Sequence, residues 1–263
     1  MLTYPHINPV AIDFGVAKIH WYGLMYLIGF AGSWWLGVLR ATRPNSGWVK
    51  DEVADLIFYG AMGVILGGRI GYILFYNFSA FIHDPIIIFQ IWQGGMSFHG
   101  GMLGVFVALY LFARKTRKTF FQVSDFIAPM VPIGLGAGRL GNFINAELLG
   151  RPAAPGLPWA MDFGDHIARH PSQLYQAITE GLLLFVILWI YSATPRPRKM
   201  VSAWFLIAYG CFRIFTEFFR TPDAHIGFVA FDWLTEGQLL SLPMILMGIY
   251  IIYSVRNSAK SKI

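Results

Sequence analysis

The sequence predicts an all-α integral membrane protein, a polytopic bundle of about seven transmembrane helices with a small external head or lid. Three observations carry this prediction. Only 13% of the 263 residues are charged while 56% are hydrophobic, against roughly 25% charged in a soluble globular protein, so the chain lacks the charge to clothe a water-soluble surface. Mean hydropathy is +0.54, and apolar stretches close to the roughly 20 residues needed to cross a bilayer recur along the chain. The basic residues fall in short clusters on alternate connections, as the positive-inside rule requires.

Windows bounded by charges, turn residues and aromatic edges place the spans at about 20–39, 53–76, 95–113, 122–143, 173–192, 201–219 and 237–254. Arg40, Arg43 and Lys50 follow the first span, Arg114, Lys115, Arg117 and Lys118 the third, Arg196, Arg198 and Lys199 the fifth, and Arg256, Lys260 and Lys262 the last. These connections are expected in the cytoplasm, which puts the N-terminus outside, in the periplasm of a bacterial inner membrane, and the C-terminus inside. The opening Met1 to His6 segment lacks a basic n-region, and no small-residue cleavage site follows the first apolar run, so the first span is expected to be retained.

The whole of 1–263 reads as a single transmembrane domain. Within it, residues 145–172 are the expected external lid, because the stretch from Glu147 to Ser172 holds Pro152, Pro155, Pro158 and Pro171 and is too polar to span. Residues 77–94 form a second external segment, whose Ile86 to Trp92 run is too short to cross and is expected to lie along the interface or re-enter.

Several function classes drop out. A net charge of +6 is explained by the cytoplasmic clusters and implies no nucleic acid. The single cysteine, Cys211, excludes an internal disulfide and a multi-thiolate metal site, and no histidine pair has zincin spacing. No metal or cofactor is implied.

Arg69, Arg139 and Arg213 fall within spans, where a charge at the bilayer centre costs at least about 2.5 to 3.5 kcal/mol. A lone arginine could pair internally or snorkel; three toward the outer halves of their spans favour an anionic ligand, since a guanidinium fork suits phosphate oxygens. Gly68-Arg69-Ile70-Gly71 and Gly138-Arg139-Leu140-Gly141 echo one another, which we read as chance similarity among glycine-rich spans. Arg139 and Asn142 share a helix face at i, i+3, and Tyr209, Arg213 and Glu217 form a stripe at i, i+4, i+8 that Arg220 extends. A salt-bridge seam without ligand is the alternative for that stripe. His99, flanked by glycines that would admit a bulky substrate, is the candidate general base. His20 with Tyr22, and His170 with Gln173 and Tyr175, are candidates for a substrate mouth.

At these residues the chain resembles the prolipoprotein diacylglyceryl transferase family. The likeness runs from His20-Trp21-Tyr22-Gly23-Leu24-Met25-Tyr26 through Gly67 to Gly71 and Phe98-His99-Gly100-Gly101, to Tyr209-Gly210-Cys211-Phe212-Arg213 and Glu217-Phe218-Phe219-Arg220. Gly138 to Gly150 is similar to the family signature throughout. The resemblance implies seven spans, an outward-facing site, phosphatidylglycerol as donor, and prolipoprotein signal peptides with a lipobox cysteine as acceptors. It assigns the family's essential positions to Tyr22, His99, Arg139, Asn142, Glu147, Gly150, Tyr209, Arg213 and Glu217. Gln176, where relatives often carry an acid, departs from it. The implied product is a thioether, so sulfur would attack the glyceryl carbon bearing the phosphate; His99 would take the thiol proton, and Arg139 with Arg213 would stabilise the leaving glycerol phosphate. The rival expectation is a transporter or flippase for an anionic lipid or solute, with a non-catalytic assembly protein third.

Overall fold

A computed structural model describes residues 1–15, 18–222 and 227–260; Lys262, counted above among the basic residues that follow the last span, lies outside the described residues. The protein is mostly helical. Its helices are α1 (Trp21–Ala41), α2 (Lys50–Tyr76), α3 (Phe78–His83), α4 (Phe98–Lys115), α5 (Phe120–Ile127), α6 (Val131–Ile144), α7 (Ser172–Tyr191), α8 (Met200–Glu217) and α9 (Glu236–Lys260). By length and composition α1, α2, α7 and α9 are able to cross a membrane, and the bent pair α5–α6 passes the same test when its two helices are taken together. Helices α4 and α8, of 18 residues each, stand where two further spans were predicted. Large apolar side chains such as Trp35, Phe58, Phe75, Ile190 and Leu246 are exposed, which suits a helix surface solvated by lipid.

Contacts divide the chain into two compact units, Met1–Ser33 with Asp125–Ile263, and Trp34–Ser124. In the second, α2 and α4 pack backbone to backbone through small residues. A Cβ at Gly71 would stand 2.7 Å from Gly100 Cα, and one at Gly63 would stand 2.7 Å from Gly104 O and 2.9 Å from Ala108 Cβ. This is the small-xxx-small seam by which membrane helices approach without a hydrophobic driving force. Gly100 belongs to this seam, where a Cβ would stand 2.8 Å from Gly71 Cα. At the charged end of the pair Lys115 meets Asp55 at 2.7 Å and Lys118 meets Glu52.

Between α2 and α4 the chain makes α3 and then 3-10 turns at Pro85–Phe89 and Ile91–Gln93. Buried Arg69 pins these turns. Its guanidinium donates to the carbonyls of Ile87, Ile88 and Gly94 and, at 3.1 Å, Gly95, and it lies over the Tyr72 ring at 5.7 Å.

In the first unit the predicted fourth span proves to be broken: α5 and α6 meet at a 51° bend. Pro129 and Pro132 flank the break, each lacking an N–H and restricting the residue before it. Helix α7 is wound as a π-helix over Ala177–Leu183, and α6 and α7 touch where a Cβ on Gly136 would stand 3.1 Å from Gly181 Cα. Leu184, Leu188, Val201 and Ala128 form a buried cluster with Leu135, Phe205 and Phe212 packed against it. Asp125 caps α8, accepting from Lys199 N at 2.6 Å, Ser202 N at 2.8 Å and Ser202 Oγ at 2.6 Å.

Short strands tie the start of the chain to the polar stretch after α6. Leu2–Thr3 (β1) pairs in parallel with Met161–Asp162 (β4), while Val10–Asp13 (β2) and Lys18–His20 (β3) form an antiparallel pair. Buried Tyr4 donates its hydroxyl to the carbonyls of Phe143 and Ile144 at 3.0 and 2.6 Å, which satisfies the end of α6.

Candidate active site

The glycines that let α6 and α7 touch bring a carboxylate opposite Arg139. Glu180, the residue before Gly181 and inside the π-helical stretch, is fully buried. Its Oε2 accepts from Arg139 Nε at 3.3 Å and from the adjoining terminal nitrogen at 3.1 Å. Its Oε1 accepts from Thr216 Oγ1 at 3.1 Å and lies 3.5 Å from a terminal nitrogen of Arg213. One carboxylate thus serves two guanidiniums from two helices.

A second carboxylate extends the chain of charges. Glu217 Oε1 lies 2.5 Å from Arg213 and 3.2 Å from Arg220, and Oε2 accepts from Thr235 Oγ1 at 2.7 Å. Gly237 makes the space, since a Cβ there would stand 2.8 Å from the Glu217 carboxyl carbon. Three guanidiniums and two carboxylates leave the cluster one net positive charge. Arg139 and Arg213 keep 17% and 14% of their side-chain surface accessible, so the cluster opens to its surroundings at these two residues.

Arg213 Nη1 is buried and, among the described residues, has no hydrogen-bond acceptor. Tyr209, one turn earlier, stacks on Phe205 with ring centroids 5.8 Å apart.

The segment after α6 is a network of its own. Asn142, buried on the same helix face as Arg139, donates to Glu147 Oε2 at 3.2 Å, and Asn145 donates to Oε1 at 3.1 Å. Gln173 donates to the Glu147 carbonyl at 2.6 Å and Ser172 to the Leu148 carbonyl at 3.2 Å. These bonds hold Ala146 and Leu148 in the left-handed region, at φ 53° and 55°, a conformation that persists only where the surroundings enforce it. Gly150 then pairs with Arg220 in an isolated bridge, and Arg151 donates to the carbonyls of Arg220 and Glu217 at 2.9 and 3.1 Å.

His170 packs on Phe219 with ring centroids 5.1 Å apart, and its Nδ1 lies 3.2 Å from the Tyr175 hydroxyl. Burial lowers its pKa below the ordinary histidine value. On α1, the Tyr22 ring lies against Gly141.

The structure therefore brings Arg139, Arg213, Glu217 and Arg220 into one cluster and places Asn142 beside it on α6. Arg69 is different: its donors are taken by backbone carbonyls of the turns before α4. The two Gly-Arg-apolar-Gly segments accordingly do different work. His99 belongs to the other unit, exposed on the first turn of α4. Cys211 is exposed. Glu180 was missed in the sequence; its signal is a lone acid within Ala177-Ile178-Thr179-Glu180-Gly181-Leu182, an apolar run where a carboxylate requires a cationic partner.

Comparison with known proteins places this geometry. The family model described as prolipoprotein diacylglyceryl transferase matches residues 9–254. A phosphatidylglycerol–prolipoprotein diacylglyceryl transferase of Legionella pneumophila (strain Corby) is 57% identical over 258 residues, covering 97% of this chain and 100% of the relative. Those of Marinomonas sp. (strain MWYL1) and Coxiella burnetii (strain RSA 331 / Henzerling II) are 58% and 57% identical, covering 94% of this chain and 93% and 95% of the relatives.

Proposed function

Since the chain belongs to the prolipoprotein diacylglyceryl transferase family, we propose that it moves the diacylglyceryl group of phosphatidylglycerol onto the lipobox cysteine of prolipoprotein signal peptides, forming a thioether and releasing glycerol phosphate. Phosphatidylglycerol–prolipoprotein diacylglyceryl transfer is its activity, and the transporter or flippase alternative is not favoured. It is a multi-pass protein of the inner membrane. The finer reading gives it seven spans, α4 and α8 included, with the N-terminus periplasmic, the C-terminus cytoplasmic, and residues 145–172 as a lid over the outer face of a single transmembrane domain.

The observation that supports the mechanism is the pairing of Arg139 and Arg213, each still partly accessible, on one shared carboxylate in a cluster with one net positive charge. In the reaction the peptide sulfur bonds to the glyceryl carbon, the bond from that carbon to phosphate oxygen breaks with its electron pair passing to the oxygen, and the thiol proton is taken up by a base. An ordinary thiol has a pKa of about 8.5, so a base raises the reactive fraction near neutral pH, and His99, exposed on the first turn of α4, fills that role in our reading. Arg139 and Arg213 meet the charge that grows on the leaving phosphate, each lost donor costing about 3 kcal/mol by analogy with oxyanion holes.

Glu217 holds Arg213 and Arg220 in place, Asn142 and Tyr22 orient the headgroup, Glu147 fixes Asn142, and Tyr209 lines the approach. Gly150 and His170 join the lid to the end of α8. Arg69 holds the turns before α4. The direct test is to incubate the purified protein with phosphatidylglycerol and a lipobox peptide. A mass gain of one diacylglyceryl group on the cysteine, absent from the Cys→Ala peptide, is expected; an unmodified peptide counts against the reading.

A further inference from the structure

We propose that Glu180 is a positioning residue for transfer, the shared counter-ion that aims Arg139 and Arg213 at one phosphate. The assignment rests on the transferase reading, in which both arginines face the lipid phosphate. Glu180 engages only the Nε edge of Arg139, so the other edge of that guanidinium remains directed away from the carboxylate. At Arg213 both terminal nitrogens face carboxylates: one lies 2.5 Å from Glu217, and the other, Nη1, lies 3.5 Å from Glu180. Two guanidiniums so arranged share one counter-ion and keep 17% and 14% of their side-chain surface open to a third, anionic partner.

Two like charges in a medium of low dielectric repel strongly, and without a carboxylate between them they would splay apart. Glu180 suppresses that movement from a place the ligand does not occupy, because it is fully buried and its second oxygen is fixed by Thr216 at 3.1 Å. The π-helical turn that carries it is built for this position. Such turns widen the helix locally, and Gly181 next to it sits directly on Gly136, one turn before Arg139. Glu180 also sets the charge of the site: with it the cluster carries one positive charge, which a phosphodiester monoanion neutralises, and without it two.

Glu180→Gln keeps the shape and removes the charge. Positioning predicts that kcat for diacylglyceryl transfer falls about 100-fold, the cost of roughly an ångström of misplacement, while KM for phosphatidylglycerol stays the same or falls, because the site has become more cationic. Thr216→Val removes one hydrogen bond to the carboxylate and should lower kcat about five- to tenfold, and adding it to Glu180→Gln should lower kcat no further, since both act through one group. Wild-type kcat in Glu180→Gln, or a loss confined to KM, overturns the proposal. Should Glu180→Gln fail to fold, Thr216→Val decides alone, and an unchanged kcat overturns the proposal. Absence of transfer by the wild-type protein would instead defeat the transferase reading itself.

Discussion

The ring of Tyr22 lies directly on the bare backbone of Gly141: a Cβ at that glycine would stand 2.9 Å from Tyr22 Cδ2 and 3.6 Å from Met25 Cγ. Helix α1 is thereby seated against α6 between Arg139 and Asn142. Gly29 makes a second close approach on the same pair of helices, where a Cβ would reach 3.0 Å from Gly134 Cα.

Gly141→Ala should therefore act on the site more than on the fold. The obstructing atoms belong to side chains that can turn aside, so we expect a stability loss of about 1 kcal/mol or less together with a tenfold or greater loss of transfer rate as Tyr22 is displaced. Thermal unfolding in detergent and the mass-gain assay measure the two effects separately. Full activity would show that the Tyr22 ring has no part in the reaction.

Gly150 allows no such escape. A Cβ there would overlap the backbone carbonyl of His170 and stand 3.0 Å from that of Phe219, and both neighbours are main chain held by further hydrogen bonds: Arg151 N donates to Phe219 O at 2.9 Å and His170 N to Arg151 O at 3.0 Å. Gly150→Ala should cost several kcal/mol through overpacking, seen as a large fall in Tm and rapid proteolysis of residues 150–170. A variant as stable as the wild type would contradict this crossing of segments.

How much of this was legible in the sequence differs by level. Span positions followed from hydropathy, because the bilayer imposes a length and a polarity that a sequence must meet, and α1, α2 and α7 begin and end within a few residues of expectation. The break in the fourth span was overlooked although Pro129 and Pro132 announce it; apolar composition masked the missing N–H groups. At the site, arginine spacing and the resemblance identified Arg139, Arg213 and Glu217. Glu180 escaped because the search began from spacings on single helices, whereas its function is to join two of them. The partners of Arg69 were out of reach for the same reason: an arginine in a span needs acceptors, and here carbonyls of a nearby loop supply them.

Burial of the His170 imidazole gives the segment between α6 and α7 a pH dependence. Its pKa is lowered from 6.5 in the folded protein, so folding favours the neutral ring; that contribution is complete above pH 6.5 and is lost as the pH falls through the lower, folded value. The wild type should lose Tm between pH 7.5 and 5 to a greater extent than His170→Phe, which cannot take up the proton. Identical slopes for the two proteins would remove His170 as the source.

Arg69→Ala should free the turns at Pro85–Phe89 and Ile91–Gln93, whose carbonyls it binds. Amide exchange in residues 85–95 should quicken at least tenfold, the effect of about 1.4 kcal/mol of local stability, with affinity for phosphatidylglycerol changed less than the exchange rate. A loss of lipid affinity with unchanged exchange would return Arg69 to the anion site.

The central claim concerns the guanidinium of Arg213 and the phosphate that leaves. Single-turnover rates and phosphatidylglycerol binding, measured together on Arg213→Lys, test it most directly, because a point charge replaces a planar fork. The expected result is binding within about threefold of wild type and a transfer rate lower by about 100-fold. Equal losses in both, or a rate close to wild type, would contradict it.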